Sequence, residues 1–275
     1  MKWWKITGSL AILVIGFLFI GGCFTNSSTG FGLDERAIST KCALPSNVDN
    51  SSSQTITRSY PYVVDGQKGS IELTLNKQWR DFFECRSNDF GPPLRGWTNR
   101  SNCNFGKCIN TSTYVDSEIV LINETKKYSA LKPLIDAIKL KSTDPKMQAR
   151  IAINLVQQIP YNSTKQESID ANTWHNVHFD TPYEVLYSNS GQCTEKSTLL
   201  AALLNEMGYD SAIIDLKNHN MVGIGGSPKD QYQNTGYIMI ETTTPQPIGW
   251  ISDEVGAIRG IRKIPGGGSQ FNLNN

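Results

Sequence analysis

The sequence predicts an α+β fold with N-terminal helices and a C-terminal antiparallel sheet. Leu199, Leu200, Leu203, Leu204 and Met207 repeat at helical spacing ahead of Gly208. Two β-prone runs follow, Ser211 to Leu216 and Met221 to Ile224, and a third runs from Tyr237 to Thr243. This order, a helix and then strands, suits an antiparallel sheet.

Taken from the start, Met1 to Lys5 is a short positive segment and Ile6 to Ile20 an apolar one. Ile20-Gly21-Gly22-Cys23 then resembles the lipobox of a secreted lipoprotein, which implies lipidation at Cys23. An uncleaved anchor helix is the alternative; both put the remaining chain outside the membrane. Residues 24 to 54 are rich in Ser, Thr, Asn and Gly, the composition of a flexible tether. Asn-x-Ser/Thr sequons at Asn26, Asn50, Asn99, Asn110, Asn123 and Asn162 permit glycosylation of an exported chain.

Residues 55 to 75 alternate in strand fashion around Asp65-Gly66 and read as a hairpin. A short amphipathic helix starts near Asn76, with Trp79, Phe82 and Phe83 at helical spacing. Residues 87 to 113 are dominated by Gly, Pro, Asn and Ser and read as an irregular insertion. Leu131, Leu134, Ile135 and Ile138 form one helical face, and Asp144-Pro145 opens another helix that Pro160 ends. Thr181-Pro182-Tyr183-Glu184 is a capping box, so a short helix runs from Pro182 to about Tyr187. The organisation expected is a signal or anchor segment (1–22), a tether (23–54), an N-terminal part with the Cys-containing insertion (55–140), a catalytic core (141–262) and a flexible tail (263–275).

Charge and hydropathy exclude some classes. With 26 Lys+Arg against 25 Asp+Glu, the 275-residue chain has a net charge of +1, which argues against nucleic acid as a partner. A single long apolar run excludes a polytopic membrane protein.

Cys193 stands in the first turn of the Leu-rich helix, where the helix dipole and free N–H groups stabilise a thiolate. A thiolate nucleophile needs a proton donor for its leaving group. His219 starts one later strand and Glu241 lies in the next, so adjacent antiparallel strands can set an imidazole beside a carboxylate that fixes its tautomer. Glu195 and Lys196, in the first turn of the helix, are expected at the solvent or substrate edge.

Gly191-Gln192-Cys193-Thr194-Glu195-Lys196-Ser197, with Leu199 to Leu204 and Gly208-Tyr209, resembles the core motif of the transglutaminase-like superfamily, whose fold is related to papain. Asn218-His219 and Tyr237 to Thr243 resemble its histidine and acidic strands. Ile159-Pro160-Tyr161 and Thr181 to Leu186 resemble segments that precede the cysteine in prokaryotic, especially archaeal, members. The resemblance implies Cys193 as nucleophile, His219 as general acid/base and Glu241 as orienting carboxylate, in place of the commoner Asp. It implies a thiol-dependent amide hydrolase or acyltransferase acting on a peptide or protein, with no cofactor. Gln192 and Trp174 are the candidates for the oxyanion and substrate cleft. Thr194 stands where animal transglutaminases carry tryptophan, which favours hydrolysis over cross-linking because water is less well excluded. A catalytically inactive peptide-binding or structural module of the cell envelope is the alternative.

Cys42, Cys85, Cys103 and Cys108 are disulfide candidates in an exported chain, with three connectivities open. Pairing Cys103 with Cys108 would leave Cys42 to pin the tether to the domain through Cys85. His175 and His178 form His-x-x-His in a loop, but no further ligands are evident, so the expectation is no metal.

Overall fold

The computed structural model describes residues 42–45, 48, 51, 53–90, 95–104, 107–170, 178–252 and 257–273. The expected leader, Cys23, Trp174 and His175 lie outside the described residues. Among the described residues no helix is long and apolar enough to cross a membrane.

β1 (Thr55–Val64) and β2 (Gln67–Asn76) pair antiparallel, with Tyr60 opposite Ile71 and Val64 opposite Gln67. The turn works because Asp65 and Gly66 both take left-handed backbone, at φ 50° and 77°, the twist that a two-residue hairpin loop requires. Tyr60, Val64, Ile71, Leu73 and Leu75 are buried while the residues between Ile71, Leu73 and Leu75 are exposed, the period-2 pattern of a strand with one covered face. α1 (Lys77–Phe90) follows directly and contributes an aromatic cluster in which Phe83 lies 5.5 Å from Tyr183 and Phe82 lies 5.1 Å from Tyr128. A disulfide joins Cys85 on α1 to Cys42.

The expected irregular insertion is instead regular. α1 runs through Phe90, and β3 (Arg95–Asn104) pairs antiparallel with β4 (Lys107–Asp116) along ten residues each. The register sets Cys103 directly opposite Cys108. Asp116 then caps α2 (Ser117–Lys127), a helix the sequence reading missed, by accepting from the Ile119 N–H.

α3 (Lys132–Lys141) and α4 (Pro145–Gln158) bury the faces expected of them. Asp144 caps α4 through the N–H groups of Lys146 and Met147, with Pro145 in the first turn. α5 (Ser163–Asp170), also missed, leads to α6 (Pro182–Ser188), whose Thr181/Glu184 capping box forms as expected. α7 (Cys193–Glu206) then packs against α2, α4 and α6 on its helical sides and against β5 (Ser211–Asp215) and β6 (Asn220–Gly225).

With β7 (Tyr237–Ile240) and β8 (Gly260–Lys263) these strands form a four-stranded antiparallel sheet in the order β7-β6-β5-β8. Ile213, Val222, Ile224, Ile238 and Ile240 join Leu199, Leu200, Leu203 and Leu204 of α7 in one core, each burial worth about 2 kcal/mol. The segment expected as a flexible tail belongs to this core. Ile264 is buried, Phe271 is 2% exposed, and Ser269 and Phe271 bridge in parallel to Tyr209 and Gly226. Its described part, to residue 273, packs because Phe271 brings apolar area and Gly267 lets the backbone approach Tyr209 closely.

Candidate active site

α7 begins at Cys193 because Gln192 caps it in an extended conformation. The Gln192 Oε1 accepts from the Thr194 N–H at 3.0 Å, and Glu195 returns the bond by accepting from the Gln192 N–H at 2.9 Å. The residue before the cap is held in turn: the Gly191 N–H donates to Pro160 O, and the Asn162 N–H donates to Gly191 O. Cys193 is 8% exposed, with its Sγ 3.2 Å from Gln192 Oε1. Because Oε1 must be the acceptor for the Thr194 N–H, the amide orientation is fixed. The Gln192 Nε2 is then a buried donor with no partner among the described residues.

His219 lies in the turn between β5 and β6, where the Leu216 N–H donates to His219 O. Glu241 is the first residue beyond β7, one position outside the strand that was expected to contain it. The antiparallel register of β6 and β7, with Val222 opposite Ile240, brings both to the same end of the sheet. His219 Nε2 sits 2.8 Å from Glu241 Oε2, and Cys193 is the other side chain that acts on the ring. With Nε2 committed to the carboxylate, Nδ1 is the nitrogen left for the sulfur.

Charge on this pair is set by competing effects. Burial alone would push the His219 imidazole down. The hydrogen bond to Cys193 and the hydrogen bond and charge of Glu241 outweigh it and raise the ring from 6.5 to about 9. Burial would raise the Glu241 carboxyl. The His219 hydrogen bond and those from the Thr243 side chain and N–H hold it down at about 2. Its Oε1 accepts from the Thr242 N–H at 2.9 Å, the Thr243 N–H at 2.7 Å and the Thr243 hydroxyl at 2.6 Å. The carboxylate is therefore fixed on one oxygen and free to orient imidazole with the other.

Glu195 and Lys196 are not at a solvent edge. Both are buried, because α7 is covered on all sides and its polar positions are covered with the rest. Lys165 Nζ bridges Glu195 Oε1 at 2.6 Å and Asp180 Oδ1 at 3.0 Å, tying α5 and the 178–181 segment to the start of α7. His178 lies in the same network, 2.8 Å from Glu184. Asp180 and Glu184 thus supply the further ligand-type atoms that the sequence reading did not find around His178, all within 4.8 Å of one another. Lys165 already neutralises Asp180, however, and the Glu184 oxygens are taken by His178 Nε2 and the Thr181 N–H. This donor set serves the packing of the segment and fits a divalent cation poorly.

Gln157 was also missed. Its Nε2 donates to Glu241 O at 2.9 Å and Gln246 O at 3.0 Å, locking the backbone of the acid to α4. A glutamine within the buried stripe Ile151, Leu155 and Ile159 could have been its only signal.

The arrangement defines a class: a cysteine at a helix N-terminus, backed by a histidine and a carboxylate from the end of an antiparallel sheet, on an α+β fold. Residues 131–225 match the family described as transglutaminase-like domain. Over those residues the chain is similar to that family. The match takes in Cys193 and His219 and stops short of Glu241. No curated protein matches the chain.

Proposed function

We propose that the protein is a cysteine-nucleophile enzyme acting on amide bonds of peptides or proteins, as a hydrolase or acyltransferase, at the outer face of a membrane. The observation that carries this reading is the His219–Glu241 pair, 2.8 Å apart, whose imidazole is also influenced by Cys193 at the start of α7. The Cys193 thiolate attacks the carbonyl carbon, and the carbonyl π electrons move to oxygen. The Cys193 N–H and the unpartnered Gln192 Nε2 receive that oxyanion. As the C–N bond breaks, the His219 imidazolium gives its proton to the departing amine and leaves a thioester. Water, deprotonated by His219, then attacks the thioester and releases acid and thiol; an amine in its place completes acyl transfer. Glu241 stays ionised throughout and stabilises the imidazolium.

Extracytoplasmic placement is supported by the Cys42–Cys85 disulfide, which persists in oxidising compartments. Anchoring through Cys23 or the apolar leader rests on the sequence pattern.

The test is alkylation with iodoacetamide at pH 7, followed by mass mapping of the labelled peptide. Cys193 is expected to react rapidly, and His219→Ala to slow it about tenfold or more. Slow labelling that is indifferent to His219→Ala sinks catalysis and leaves a silent peptide-binding module.

A further inference from the structure

Lys196 lies one turn beyond the nucleophile with its side chain fully buried, and the chemistry above makes no use of it. Burying an ammonium is costly unless each proton finds an acceptor. Here all three do. Nζ donates to Ile159 O at 2.6 Å, to Gln157 O at 3.2 Å and to Thr243 O at 3.3 Å.

The first two acceptors lie at the C-terminal end of α4, where carbonyls lack helical partners and a cation is favoured by the dipole. Those two bonds alone would make Lys196 a helix cap. The third bond reaches the segment that holds Glu241. Thr243 gives its own N–H and hydroxyl to Glu241 Oε1, and Gln157, whose carbonyl Lys196 grips, fixes Glu241 O from the other side. Lys196 thus touches both supports of the carboxylate and none of the reacting atoms.

We propose that Lys196 is a positioning residue: its buried ammonium clamps the 241–243 segment and Gln157 so that Glu241 stays against His219 Nε2. This rests on the catalytic reading above. Burial pushes the ammonium down to about 8, against the opposing charge of Glu241, the charged group that acts on it. The clamp therefore loosens in the mildly alkaline range, when one of the three donors is lost.

Two readouts test this. Imidazole NMR resonances report the titration of His219, assigned through His219→Ala, and iodoacetamide labelling of Cys193 from pH 5 to 10 reports the thiolate. Lys196→Met keeps the stem and removes the donors. It should lower the His219 midpoint by about one pH unit and slow labelling about threefold near pH 8.5, where the imidazolium fraction differs most, with the rates at pH 6 and pH 10 unchanged. Lys196→Met that is folded by circular dichroism and titrates as wild type overturns the proposal.

Should Lys196→Met fail to fold, the wild-type protein decides. The His219 resonances should inflect at the pH where the Lys196 Nζ resonance titrates, and independent curves overturn the proposal. If wild-type Cys193 labels slowly and His219→Ala changes nothing, the catalytic reading has failed. The His219 midpoints still judge Lys196.

Discussion

Glu241→Gln replaces the carboxylate facing His219 with a neutral amide of nearly the same shape. In the wild-type protein the ring is held at about 9 and ordinarily titrates at 6.5, a difference equivalent to about 3 kcal/mol. A quarter of the His219 side chain is exposed (25%), so solvent screening brings the figure nearer ~2 kcal/mol. A raised histidine stabilises the fold fully below pH 6.5 and loses that contribution as pH climbs through about 9. Glu241, held at about 2 against 4.5, contributes above pH 4.5 and loses its share as pH falls towards 2. Near pH 6 both contributions are present in wild type; Glu241→Gln removes that of Glu241 and the share of the His219 shift that Glu241 supplies, Cys193 supplying the rest. Urea unfolding followed by tryptophan fluorescence should then show the variant about 2 kcal/mol less stable at pH 6, with the gap narrower at pH 10, where the His219 share is lost and the Glu241 share persists. An identical gap at both pH values would refute the assignment of Glu241 as the partner that holds charge on His219.

Two further outcomes concern the scaffold. Phe271→Ala should destabilise by about 3 to 5 kcal/mol in urea melts, as for an aromatic removed from a core, whereas a loose tail would show no change. Cys42→Ser opens a cross-link spanning 43 residues of sequence and should cost about 2 to 4 kcal/mol, with reducing agent producing the same loss in the wild type and none in the variant.

Most elements from β1 to β7 were legible because local signals and packing agree there. Asp65-Gly66 marks the hairpin, Asp144-Pro145 starts α4, and Thr181/Glu184 starts α6, each through chemistry contained in a few residues. Cys193 and His219 could be placed at the starts of elements and Glu241 in the following strand, and the geometry brings His219 and Glu241 together beside the start of α7. What failed had a tertiary cause. The composition of 87–113 reads as loop, yet strand pairing, with Trp97 opposite Tyr114 and Thr98 opposite Thr113, depends on the cross-strand partner more than on propensity. Polar identity sent Glu195 and Lys196 outward, but a helix walled in on every side keeps its polar residues inside and must supply them with partners. Residues 263 to 275 were expected as a flexible tail. Gly267 instead lies so close to Tyr209 O that a Cβ would not fit, so the residue permits contact and gives no evidence of freedom.

The enclosure of α7 has a consequence for how any substrate meets the thiol. Five elements hold the helix, its cap is doubly bonded, and both partners of Cys193 lie in or beside a sheet packed on it. The loss of entropy needed to align nucleophile, base and acid is therefore incurred when the chain folds and need not recur at each encounter. On the function proposed above, an arriving amide would meet an arrangement already set by the fold, and the interactions made by its distant parts would remain for orienting the scissile bond.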